Sequence, residues 1–139
     1  MQRSKNIFLM LALLGTSISF GQDLGKHEGK DRVFIIASKK AEEINRQTKI
    51  LQKDKDGLKK RKLKIYNVLP IKYSEGLENQ NWINDQLFYE KVKRKKNDFE
   101  VILIGLVGGV KLKQTEMISL KKLFTLIDGM PMRRSEIKN

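Results

Sequence analysis

The sequence predicts one α/β domain built on a mixed sheet. Two continuous apolar runs, "RVFIIA" and "FEVILIG", have the composition of strands buried on both faces. The first passes directly into a stretch of helical period, and the second reaches adjacent glycines that turn it back on itself. At 139 residues the chain holds a single core of ordinary size, and 40% hydrophobic with 32% charged residues excludes both disorder and an integral membrane protein.

The elements follow in order. Residues 1–21 are set aside as a secretory signal peptide. Gln2, Arg3 and Lys5 make a positive start, "IFLMLALL" is a short apolar core, and "GTSISFGQ" supplies small residues before a cut between Gly21 and Gln22. The apolar run meets Gly15, Thr16 and Ser17 too soon for a membrane-spanning helix, which needs roughly 20 apolar residues. The expectation is a protein in the periplasm or outside the cell, not membrane-spanning after cleavage.

Residues 22–31 form a polar lead-in to a domain at 32–139. The first strand is Arg32 to Ala37. From Ser38, read as a helix N-cap, Ala41, Ile44, Thr48, Leu51 and Leu58 recur with helical spacing, which predicts a helix from Lys39 to the region of Asp56 or Leu58. Leu63 to Val68 alternates as a second strand and Pro70 closes it, since proline cannot donate to a ladder. "PIKYSEGLENQN" has the composition of a loop. Ile83, Leu87, Phe88 and Val92 share one face of a helix expected over about Asn81 to Lys95.

Phe99 to Gly105 and "VKLK" make a β-hairpin. Ser119 caps a last helix carrying Leu120, Leu123, Phe124 and Ile127, which Gly129 ends and Pro131 keeps from continuing. The tail "MPMRRSE" is expected to be non-helical, docked by its methionines. The resulting order, β-α-β-α-β-β-α, is that of the thioredoxin-like minimal fold.

The chemistry of that fold is missing. With no cysteine anywhere, thiol redox catalysis is excluded, and the window Ala37 to Ala41 holds Ser38, Lys39 and Lys40 where a redox pair would sit. Ser38 has no evident base, because the only histidine, His27, lies in the polar lead-in and reads as a surface residue. "KDKDG" lacks the remaining ligands of a calcium loop, and no glycine loop cradles a nucleotide, so neither a metal nor another cofactor is implied.

The formal charge is +13. Arg3 and Lys5 leave with the leader and no acid does, so the exported part carries +11. Such an excess favours acidic proteins or anionic envelope components, through clusters such as "LKKRKLK" and "KVKRKK", and export argues against nucleic acid. The plainer reading is a lysine-rich solvated surface.

The C-terminal part, "FEVILIGLVGGVKLK" followed by "SLKKLFTLIDGMPMRRSEI", resembles a bacterial family known as domain of unknown function 4174. The likeness rests on Ile104 and Gly105, on Gly108 to Lys111, on Ile127 and Asp128, and on Met130 to Arg134. It implies a thioredoxin-like fold without an assigned function. Where that family commonly carries Lys-Asp in the hairpin turn, this chain has Leu106 and Val107.

The reading that follows is a non-catalytic binding or accessory module for an acidic partner, with Arg133 and Arg134 as contact residues and Lys111 as a third. Its plain competitor has one arginine paired with Asp128 or Glu136 and nothing bound. The alternative from another class is an enzyme with an anion pocket at Ser38, Lys39 and Lys40.

Overall fold

The computed structural model describes residues 24–78, 81–92 and 98–138. The expected leader at 1–21 and the expected end of the second helix at 93–95 lie outside them, as does most of "KVKRKK". The described residues form one mixed α/β domain. A six-stranded sheet runs in the order β4-β3-β2-β1-β5-β6. It consists of β1 (Arg32–Ser38), β2 (Leu63–Leu69), β3 (Lys72–Glu75), β4 (Ile83–Asn84), β5 (Phe99–Ile104) and β6 (Val110–Gln114). Five helices accompany it: α1 (Ala41–Gln52), α2 (Lys55–Lys60), α3 (Leu87–Val92), α4 (Leu120–Asp128) and α5 (Pro131–Lys138). A 3-10 turn at Leu24–His27 precedes β1.

Strand β1 is central, parallel to β2 and antiparallel to β5, and all seven of its residues are buried. Its alternation divides the core in two. Phe34 and Ile36 join Ile65, Val101 and Leu103 under Ile44, Leu51 and Leu58 of the first two helices and Leu123 and Ile127 of α4. On the other face Val33, Ile35 and Ala37 join Tyr66, Val68 and Ile102 against Phe88 and Val92 of α3 and Leu24 of the 3-10 turn. Burial on both sides is why the run tolerates no polar side chain between its two ends.

The structure bears out β1, β2, the hairpin and α4, whose N-cap Ser119 accepts from the Lys122 N–H at 3.2 Å. Gly108, at φ +92, supplies the left-handed position of the hairpin turn. Five expectations need correction. The first helix is two, because Asp54 takes a non-helical φ of −146° and caps α2 by accepting from the Gly57 N–H at 2.8 Å. Leu51 and Leu58 still reach one core, so the periodicity runs across a break it does not register.

The supposed loop at 70–81 contains β3, which returns from β2 through Pro70 and Ile71 with Leu69 opposite Lys72. In the next helix the described part covers only Leu87–Val92, started by the Asp85 carboxylate on the N–H groups of Leu87 and Phe88. Ile83 stands outside that helix in β4, paired with Tyr73. The tail is helical, with Pro131 as the first residue of α5, a position where its missing N–H costs nothing. Lastly, Ser38 is not the N-cap of α1; Lys40 holds that position without a side-chain cap. No helix among the described residues is long and apolar enough to cross a membrane.

Candidate functional site: a buried arginine beneath the last helix

Arg32 opens β1 opposite Leu63, on the same side of the strand as Phe34 and Ile36, and is 0% exposed. Its Nη1 donates to the Arg61 carbonyl at 2.9 Å and to Oε2 of Glu136 at 3.3 Å. Its Nε and Nη2 are buried without a hydrogen-bond partner. A buried guanidinium with unused donors is costly, because desolvation is repaid only when the fork is satisfied.

Around it the chain has gathered charge from α4, from α5 and from the turn between α2 and β2. Glu136 of α5 also accepts from Arg133 Nη1 at 3.3 Å, and its Oε1 lies 3.6 Å from Lys62 Nζ. Arg133 donates from Nε to Asp128 at 3.2 Å and from Nη1 to the Lys60 carbonyl at 3.0 Å. Asp128, at the end of α4, takes the fork of Arg61 in two bonds of 3.0 and 2.8 Å. The Arg61 guanidinium lies 3.7 Å over the Phe124 ring, where cation–π attraction and the Gly57 carbonyl hold it. Four cations thus face two carboxylates.

The electrostatics agree with that excess. Hydrogen bonds from Arg61, and then from Arg133, hold the Asp128 carboxyl below its ordinary range against the cost of burial. Burial pushes Glu136 up, but the hydrogen bond and charge of Arg32, with Arg133 and Lys62, outweigh it and leave its pKa lowered.

A family model with the description Domain of unknown function (DUF4174) matches residues 23–136. The chain belongs to that family. No curated protein and no solved structure matches it. The matched span of this DUF4174 domain includes Arg32, Arg61, Asp128, Arg133 and Glu136 alike.

The residues expected from the sequence fall in three places. Arg133 stands inside the cluster as a strut, paired with both Asp128 and Glu136. Arg134 is exposed, and its side chain has no hydrogen bond or ion pair among the described residues. Lys111 is on β6, two strands from β1, with its side chain laid over Gly105, where an added Cβ would stand 2.9 Å from Cε. The sheet therefore does not bring Lys111 to the arginines.

At the opposite end of β1, the buried Ser38 hydroxyl accepts from the Lys40 N–H at 3.0 Å and donates to Glu43 at 3.1 Å. Lys39 and Lys40 are exposed, with Lys39 Nζ 3.9 Å from Asp98. The Ser38 hydroxyl is thus engaged within the turn, and the Lys39 N–H donates to the Asp98 carbonyl at 3.1 Å.

His27, expected at the surface, is 5% exposed. Its Nδ1 lies 2.9 Å from Asp31 and its Nε2 2.6 Å from the Tyr66 hydroxyl, so the histidine fastens the 3-10 turn to β2. A histidine four residues before an aspartate was the readable signal. Arg32 left one too: a charge at the head of an otherwise apolar, doubly buried run.

Proposed function

We propose that this domain is an exported, thioredoxin-like binding module that recognises an acidic partner through the arginine cluster at the start of β1. Four features support the reading. The order β2-β1-β5-β6, with β1 and β2 parallel and the others antiparallel, is that of a minimal thioredoxin-like sheet, to which β3 and β4 add an edge. The chain has no cysteine, which leaves that scaffold without its thiol chemistry. The leader read from the sequence at 1–21 supports export, and outside the cytoplasm acidic proteins and envelope components are the available anions.

The fourth feature is a groove of about 550 Å³ that adjoins the cluster through Lys62 and is lined also by Lys55, Lys59 and Lys64. Its acids are largely engaged: Glu78 with Lys55 at 3.2 Å, Asp31 with His27, and Glu75 with Lys26 at 3.9 Å. Lys59 and Lys64 have no carboxylate partner among the described residues. An extended acidic segment lying in this groove ends at the arginines.

The observation that carries the proposal is Arg32, a fully buried guanidinium holding two unpartnered donors next to a surplus of cations. Arginine forks of this kind suit carboxylates. The test is crosslinking in intact cells with tagged protein and a folded variant carrying Arg134→Ala, Lys59→Ala and Lys64→Ala. The expected result is one partner rich in Asp and Glu that the variant loses and that salt releases. A partner held equally by both proteins and insensitive to salt contradicts the proposal.

A further inference from the structure

Helix α5 has eight residues and buries none of them; Met132 is 49% and Ile137 59% exposed. It is fastened by charge. Glu136 reaches Arg32, Arg133 and Lys62, and Arg133 reaches Asp128 and the Lys60 carbonyl. The fastening at Arg32 is also poor. One carboxylate oxygen meets one nitrogen at 3.3 Å, while Arg32 Nε, Arg32 Nη2 and Glu136 Oε1 are all buried without a hydrogen bond. A carboxylate arriving along Nε and Nη2 would form two parallel bonds where Glu136 forms one.

We infer that Glu136 is an internal stand-in for the partner's carboxylate and that α5 is a displaceable lid over Arg32. This rests on the acidic-partner reading above and adds to it how the site is regulated. In the closed state Glu136 occupies the cluster. A glutamate- or aspartate-rich segment displaces it, takes the unused fork of Arg32, and lets α5 swing outward about Gly129. Asp128 remains on Arg61 throughout, because its two-pronged bond and the Phe124 ring hold that pair independently of α5.

The probe is a fluorescein-labelled peptide of ten glutamates. Its binding to the full chain and to the Glu136→Gln variant is followed by anisotropy, and amide hydrogen exchange is followed on the wild type with and without peptide. The lid predicts about tenfold tighter binding by Glu136→Gln, the factor expected when a competent state populated about one part in ten becomes dominant. It also predicts that wild-type residues 131–138 exchange faster when peptide is bound. Wild-type binding with unchanged or slower exchange in α5 overturns the lid and leaves the acidic-partner reading standing. No binding by either protein overturns both. Should Glu136→Gln fail to fold, the wild-type exchange result decides alone.

Discussion

Arg32 shows how a single residue can join strand, helix and charge network. Removing it with Arg32→Ala leaves a cavity at the head of β1 and takes one of three cations from Glu136, and the expected loss is about 2–5 kcal/mol in urea unfolding. Replacing both partners, as in Arg32→Met with Glu136→Leu, should recover most of that loss, since a hydrophobic pair of similar volume avoids the desolvation of two charges. A double variant as unstable as Arg32→Ala would mean the pair is not what that loss measures.

The carboxylates give the cluster a pH dependence. Asp128 and Glu136 both have lowered pKa values in the folded chain, so their contribution is present above the ordinary carboxylate range of about 4 and is lost as pH falls through the lower folded values. Stability should therefore decline on acidification below about pH 5, and the decline should shrink in Asp128→Asn. An unchanged acid limb in that variant contradicts the assignment. At this scale the sequence was half legible. Arg133, Asp128 and Glu136 sit within nine residues and could be suspected as a group, but Arg32 and Arg61 reach them only through the fold.

Among elements, the legible ones bury a regular pattern. β1 and β5 are buried along their whole length, and α4 presents Leu123 and Ile127 to one core. The misread ones depend on local polar groups that periodicity ignores. Asp54 breaks the first helix and Asp85 starts the third. "KYSE" forms β3 because Tyr73 and Ser74 are buried against neighbours already in place.

Pro131 carries two opposite meanings, a stop for one helix and the first residue of the next, and only the Gly129 turn decides between them. The break in the first helix is testable. Asp54→Ala should cost about 1 kcal/mol through the lost cap. Gly57→Ala should destabilise further, because its Cβ would come within 2.7 Å of the Phe124 ring that supports Arg61. Tolerance of both substitutions would show that α2 does not position the arginine.

For the whole molecule, charge is the property that sequence states most plainly and explains least. A formal +13 says that anions are attracted, and nothing in it says where. The fold brings the lysines of α2 and β2 beside Arg32, Arg61 and Arg133, the surface proposed above for an acidic segment. If that is the binding surface, affinity for an acidic segment should fall steeply as salt is raised past physiological strength, where the Debye length is about 8 Å. The part of the affinity that survives should come from the fork at Arg32, which is buried and weakly screened.

The most direct test of the central claim is an NMR titration of the arginine Nε–Hε signals with the decaglutamate peptide. The account predicts that the Arg32 signal shifts and saturates, with a parallel change at Arg133 as α5 leaves and its bond to Asp128 breaks, while Arg61 stays on Asp128. Shifts confined to another arginine, such as the exposed Arg46 of α1, with the Arg32 signal unmoved at saturation, would contradict it.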